Sequence, residues 1–191
     1  EFMAEILARL TMLCRDSSDI NQRSGVSVRL SIANYETLGA ASIVRAILNQ
    51  EEIAVPRISD LNSIRPSTIG KLEFEIVEEG KEEVILSKLI ETAIIETFNE
   101  YFQDTDLSSI VNDFDQGLLF ETGNDLSSIS YTTQGIDTLI ATRLEQIEDV
   151  NNVAVFASTL EFLLEGLYLT SKIGRSKTSD GRVAYKNKTI T

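Results

Sequence analysis

Apolar residues recur at helical spacing along most of this chain. Ile6, Leu7, Leu10 and Leu13 share one face of a helix expected over residues 3–15. Asp16, Ser17, Ser18 and Asp19 form a polar stop. Val28, Ile32, Tyr35, Ile43, Ala46 and Ile47 define a second helix over residues 27–50, with Gly39 inside the run. Residues 54–58 read as a connector, because Pro56 disfavours helix in the residue before it. Ser59 is positioned to cap a short helix over residues 60–65, ended by Pro66. The clearest pattern is Leu86, Leu89, Ile90, Ala93, Ile94 and Phe98, over residues 80–102. Glu82 and Glu83 lie in its first turn, where the helix dipole favours acids. Three more helices are expected: one from Asp106 or Ser108 to near Gly117, one over residues 134–148 and one over residues 151–173. Phe156, Leu160, Leu163, Leu164 and Leu167 form the stripe of the last.

Leu72, Phe74 and Ile76 alternate with glutamates, the period of a short strand. No fixed-period repeat appears, which argues against a solenoid. The pattern predicts an all-α helical bundle with at most a minor strand near residues 72–76. Two regions are expected, 1–70 and 71–191. The composition agrees: 2 Pro and 10 Gly are too few breakers for a sandwich of short strands.

Charge adds a second layer. The formal net charge is −13, which argues against nucleic-acid binding by the body of the protein. From Gly174 onward, however, five basic residues face one acid, Asp180. A basic tail on an acidic body either docks, on its own body or on a neighbouring subunit, or frays into solvent. The single cysteine, Cys14, has no internal disulfide partner and fits a reducing, cytoplasmic setting; its apolar neighbours predict a buried structural thiol. No run has the apolar length of a membrane span. The chain starts Glu1-Phe2 with a helical pattern already under way, which reads as a piece of a longer polypeptide.

Much chemistry is excluded. With no histidine, serine and cysteine triads and the usual histidine-based zinc sites are out of reach. No metal site is expected. A P-loop needs Gly-Lys followed by Ser or Thr to hold magnesium. The two Gly-Lys steps, Gly70-Lys71 and Gly80-Lys81, are followed by Leu72 and Glu82. The chain therefore lacks its own nucleoside-triphosphatase machinery.

One stretch resists this quiet picture. In "QRSGVSVR", from Gln22 to Arg29, a Ser-Gly break precedes a helix whose first turn carries a cation. The positive end of a helix suits an anion and slightly disfavours Arg29. A bound anion resolves the conflict. Gly25 permits the turn and a close approach of ligand to backbone. Arg29 then offers a planar fork to a phosphate oxygen. The alternative is a solvated arginine paired with a surface acid such as Glu36.

The segment "DINQRSGVSVRLSIANYE" (Asp19 to Glu36), with "AVPRISDL" (Ala54 to Leu61), resembles the lid region of magnesium-chelatase-type AAA+ ATPases. More closely, it resembles the bacterial magnesium-chelatase-like group sometimes labelled as sigma-54-interacting ATPases. The closing "EFLLEGLYLTSKI" (Glu161 to Ile173) is similar to the end of those proteins. The resemblance implies that Arg29 is the sensor-2 arginine, which reaches the γ-phosphate of ATP held by a preceding P-loop domain. Arg23 and Gly25 belong to the same implied nucleotide-facing motif. Arg57 is expected either to pair with Asp60 or to serve a neighbouring subunit. ATP and Mg, a homo-oligomeric ring and an unidentified protein partner to be remodelled belong only to the intact protein. These residues alone are expected to be inactive. The competing reading is a non-enzymatic helical adaptor or regulator. A transcription-activator role, suggested by the sigma-54 label, is a third and weaker reading, because no expected helix carries a basic recognition face.

Overall fold

The computed structural model describes residues 1–23, 25–75, 80–134 and 152–188. The described residues are 60% helical, with seven α-helices and one small three-stranded sheet among them. The mostly-α expectation is met. Helix α1 spans Phe2–Asp16 and α2 spans Val28–Leu48. A 3-10 segment, Ile58–Ile64, runs into the short α3, Arg65–Ile69. Then come α4 (Lys81–Phe102), α5 (Ser108–Asp115), α6 (Ser128–Thr132) and α7 (Val153–Leu169). The expected helix over residues 134–148 lies outside the described residues, apart from Gln134.

Three local expectations are corrected. Pro66 does not end a helix; it opens α3, where its missing N–H costs nothing. Ser59 is not the cap of the 3-10 segment. That place belongs to Arg57, whose backbone N–H donates to Asp60 Oδ2 at 2.9 Å. Near residues 72–76 the strand shrinks to an isolated bridge, Ile20 to Phe74, flanked by Asn21 N–H to Glu73 O at 2.7 Å and Glu75 N–H to Asp19 O at 2.9 Å. Ile76 lies outside the described residues.

The regular strands lie elsewhere. They are β1 (Phe120–Thr122), β2 (Gly174–Lys177) and β3 (Val183–Lys186), antiparallel in the order β1-β3-β2. The β2–β3 turn uses Gly181 at φ 87°, a conformation that favours glycine. Gln134 occupies the outer edge of β1: its side-chain amide exchanges hydrogen bonds of 2.7 and 3.0 Å with the Glu121 backbone. The basic tail thus docks on its own body. Arg175 pairs with Glu165, and Arg182 reaches Asp125 at 2.7 Å and Glu121 at 3.4 Å.

Helix α7 is the axis of the core. Every residue from Phe156 to Leu167 is buried, as a helix apolar on all sides requires. Phe162 stacks on Phe2 with centroids 4.4 Å apart and meets Phe98 edge-on at 6.1 Å. One buried cluster extends from Phe2 on α1 to Tyr185 on β3, so regions 1–70 and 71–191 share it. Cys14 sits in that cluster, its thiol pushed up to about 11 by burial, which makes it inert at neutral pH.

Gly166 makes one of these contacts possible. A Cβ built there falls inside the van der Waals envelope of the Phe98 ring. Gly166→Ala gains helix propensity of about 1 kcal/mol, but overpacking a tight core costs roughly 1–3 kcal/mol. The expected result is a lower urea midpoint at unchanged m-value. A midpoint at or above wild type contradicts this packing.

Candidate functional site

The loop before α2 is held from several sides. Arg15 Nε donates to Val26 O at 3.4 Å, and Gln22 Nε2 donates to Ser17 O at 2.9 Å and Ile20 O at 3.0 Å. Gly25 adopts φ 67°, so the sequence reading of a glycine-dependent turn is correct. Ser27 caps α2, its Oγ accepting from the Arg29 N–H at 3.2 Å. No acid lies in the first turn of α2. Arg29 is exposed there, and its guanidinium has no partner among the described residues; the pairing with Glu36 is absent. Arg23 is exposed on the same loop, with its backbone N–H on Asn21 Oδ1 at 2.9 Å. Arg23, Gly25 and Arg29 thus share one solvent-facing loop and helix start.

Most of the apolar stripe of helix α2 faces solvent rather than the core. Val28, Ile32, Tyr35, Ile43 and Ile47 are each more than half exposed. Its inward face carries Leu30, Asn34, Leu38, Ser42, Arg45 and Ala46. The polar members of that face are engaged. Asn34 Oδ1 accepts from Thr68 Oγ1 at 3.0 Å, and Ser42 Oγ donates to Gly39 O at 2.8 Å. The apolar stripe starts at the turn that carries Arg29.

Arg45 anchors the far end of α2. It is 3% exposed, and its Nε donates to Asp60 Oδ1 at 3.1 Å. Its other nitrogens reach Val55 O at 2.6 Å and Glu51 Oε2 at 3.2 Å. Arg57 is fully buried, which removes the reading that it serves a neighbouring subunit in this conformation. Its guanidinium does not pair with Asp60 either. It donates to Glu51 Oε1 at 2.9 Å, Ser128 Oγ at 2.6 Å and Leu126 O at 2.9 Å, and lies 4.8 Å from the Tyr131 ring centroid. Arg45, closer to the Asp60 carboxylate, takes that pairing instead.

Two acids on α7 complete the polar interior, and neither was singled out from sequence as a candidate. Glu161 accepts from the Ser59 N–H at 2.8 Å, from Ser59 Oγ at 3.2 Å and from the Tyr131 hydroxyl. Glu165 accepts from Arg175 and, at 2.6 Å, from the Tyr185 hydroxyl. Burial holds Glu161 above the usual carboxylate range, against the pull of Arg57 and its hydrogen bonds. Burial and the nearby glutamates push both tyrosines well above theirs. The available signal was their setting, two acids one turn apart in an otherwise apolar run. Such acids are buried and need partners. Among the described residues no group of three or more His, Cys, Asp or Glu is placed to hold a metal. No described helix is long and apolar enough to cross a membrane.

Two outcomes follow from this interior. Arg45→Ala strands Asp60 and part of Glu51 without a cation, at a cost of about 3–5 kcal/mol, read as a large drop in denaturant midpoint. A drop below about 1 kcal/mol places the pair in effective contact with water. Glu161, by contrast, binds its proton more tightly folded than unfolded. Its contribution to stability therefore falls as pH rises above the ordinary value of 4.5. Arg57, Tyr131, Ser59, Arg45, Glu165 and Tyr185 are the groups that surround it. Glu161→Gln removes that slope, so the stability of the variant relative to wild type rises with pH above about 4.5. Parallel pH–stability curves for the two proteins would contradict this.

No protein-family model, curated protein or solved structure matches the chain.

Proposed function

We propose that this chain is the lid and C-terminal helical region of a magnesium-chelatase-type AAA+ ATPase. It is inert alone and completed by its own P-loop domain. The observation that carries the reading is the start of α2, where an exposed, unpartnered Arg29 stands in the first turn after a positive-φ glycine. That is the arrangement a phosphate-sensing arginine needs: fixed by a capped helix, free at its tip.

The apolar stripe beside it supports the same reading. A helix that turns Val28, Ile32, Tyr35, Ile43 and Ile47 to solvent and Arg45 to the core has a face that the other described residues leave uncovered. Docked on a nucleotide-binding domain, that face is buried and Arg29 is carried to the phosphates. Arg29 fits the phosphate end of ATP. Magnesium finds no ligand set among the described residues and belongs with the P-loop domain. When bound, ATP with magnesium supplies the energy of phosphoryl transfer. This chain supplies a cation aimed at the phosphate and a lever, α2, anchored through Arg45 to the core. In the intact protein the lid works within a homo-oligomeric ring that remodels a protein partner.

The test is steady-state ATP hydrolysis by the protein that joins this region to its P-loop domain. A charge-assisted contact to phosphate is worth roughly 1.5–3 kcal/mol, so Arg29→Ala should slow turnover at least about tenfold with the helical signal unchanged. Arg45 is unsuitable as the control, because it is buried in the ionic network. Lys88, exposed on α4 with no side-chain partner among the described residues, serves instead. Equal turnover for Arg29→Ala, Lys88→Ala and wild type removes the sensor assignment and leaves α2 as the docking face of a non-enzymatic adaptor.

A further inference from the structure

A cavity of about 740 Å³ lies between α7, α4, the 3-10 segment and the β2–β3 hairpin. It is separate from the α2 helix start, and nothing in the lid reading uses it. Its lining has two characters. Ile58, Ile90, Ile94 and Val183 give it apolar walls, and Glu161 and Glu165 on α7 bring two buried carboxylates to it; charges of both signs complete the lining, the bases Arg65, Arg175 and Lys177 being outnumbered once Glu91, Asp125 and Asp180 are added to the two glutamates. Residues four apart on a helix have Cβ atoms about 6 Å apart, so both carboxylates serve one site.

The two acids differ in how their charge is met. Glu165 has Arg175 as a direct partner. So do the other deeply buried acids: Asp60 has Arg45, and Glu51 has both Arg45 and Arg57. Glu161, only 2% exposed, has no cation within ion-pair distance among the described residues. The nearest attraction is Arg57, whose two terminal nitrogens are spent on Glu51, Ser128 and the Leu126 carbonyl. Glu161 holds three hydrogen bonds, two on Oε1 and one on Oε2. A carboxylate has about four lone-pair positions, so Oε2 keeps acceptor capacity. A buried carboxylate that is hydrogen-bonded but lacks a counter-ion is costly, and a cation placed beside it removes that cost.

We propose that this cavity binds a small organic cation. A primary ammonium or guanidinium head sits against Glu161 with Glu165 one turn away, and an apolar body lies along Ile58, Ile90, Ile94 and Val183. The head supplies the donor and the charge that Glu161 lacks. Metal ions are disfavoured, since the described residues offer no cluster of three ligands. The mixed lining also separates this ligand from a purely apolar one, which would leave the carboxylate desolvated and unpaired.

The experiment is a titration of the 191-residue chain with n-pentylamine and with n-butylguanidine, at fixed ionic strength, followed by backbone amide shifts. n-Pentanol is the neutral control. The expected result is saturable shifts at Ser59 and along α7 for at least one of the cations, with binding at least about tenfold weaker for the alcohol. Glu161→Gln should lower cation affinity at least about tenfold, while Glu91→Gln, at the exposed rim, should change it little. Saturation by pentylamine but not butylguanidine assigns an ammonium head, and the reverse a guanidinium; both outcomes support the site. Equal binding of cation and alcohol overturns it, because the cavity then recognises only the apolar body. Unsaturable shifts spread over the acidic surface, or absence of shifts, also overturn it. If Glu161→Gln does not fold, the cation–alcohol comparison on the wild-type chain decides alone.

Discussion

Carboxylates placed inside an apolar helix set the terms for everything packed against α7. A buried charge must be met by donors or counter-ions; otherwise it takes up a proton or destabilises the fold around it. Around Glu161 and Glu165 four neighbouring elements each present one. The 3-10 segment gives Ser59, α6 gives Tyr131, β2 gives Arg175 and β3 gives Tyr185. The positions of the sheet and of α6 follow from this need as much as from apolar burial. Behind that layer, Glu51 joins Arg45 to Arg57, and the connector after α2 is fixed by charge rather than by packing alone.

The same economy explains the orientation of α2. Arg45 can satisfy Asp60 only by pointing inward, and Asn34 and Ser42 share its face. The apolar residues at the other phase then have nowhere to go but outward. A helix so oriented is rigidly tied at its C-terminal end and bare along one side. In the proposed lid the tie would transmit movement and the bare side would receive a domain. The exposed Arg29 lies at the opposite end of the helix from Arg45.

Helix existence was legible because the stripes of α1, α4 and α7 are long and their periods unambiguous. The face of α2 was not, because periodicity locates an apolar stripe without saying whether the chain itself covers it. The sheet escaped notice for a different reason. Strands of three or four residues carry almost no period, although Asp180-Gly181 is a familiar hairpin signal and was there to be read. Within the candidate site, the turn at Gly25 and the helix start before Arg29 followed from local chemistry. The partners of Arg57 did not. Glu51 and Ser128 are 6 and 71 residues away, and the longer of these pairings leaves no trace in local pattern.

The stack of Phe2 on Phe162 has a temporal side. The ring that completes α1's buried face is 160 positions downstream. At synthesis rates of about 5–20 residues per second, α1 waits roughly 10–30 s before its partner exists. During that interval α2 and α4 can already pack on α1, but the Phe2 ring lacks its stacking partner. Non-local closure of this kind also slows folding itself, because loop entropy is spent before the contact forms. The aromatic end of the first helix is therefore among the last parts of the core to close as the chain emerges.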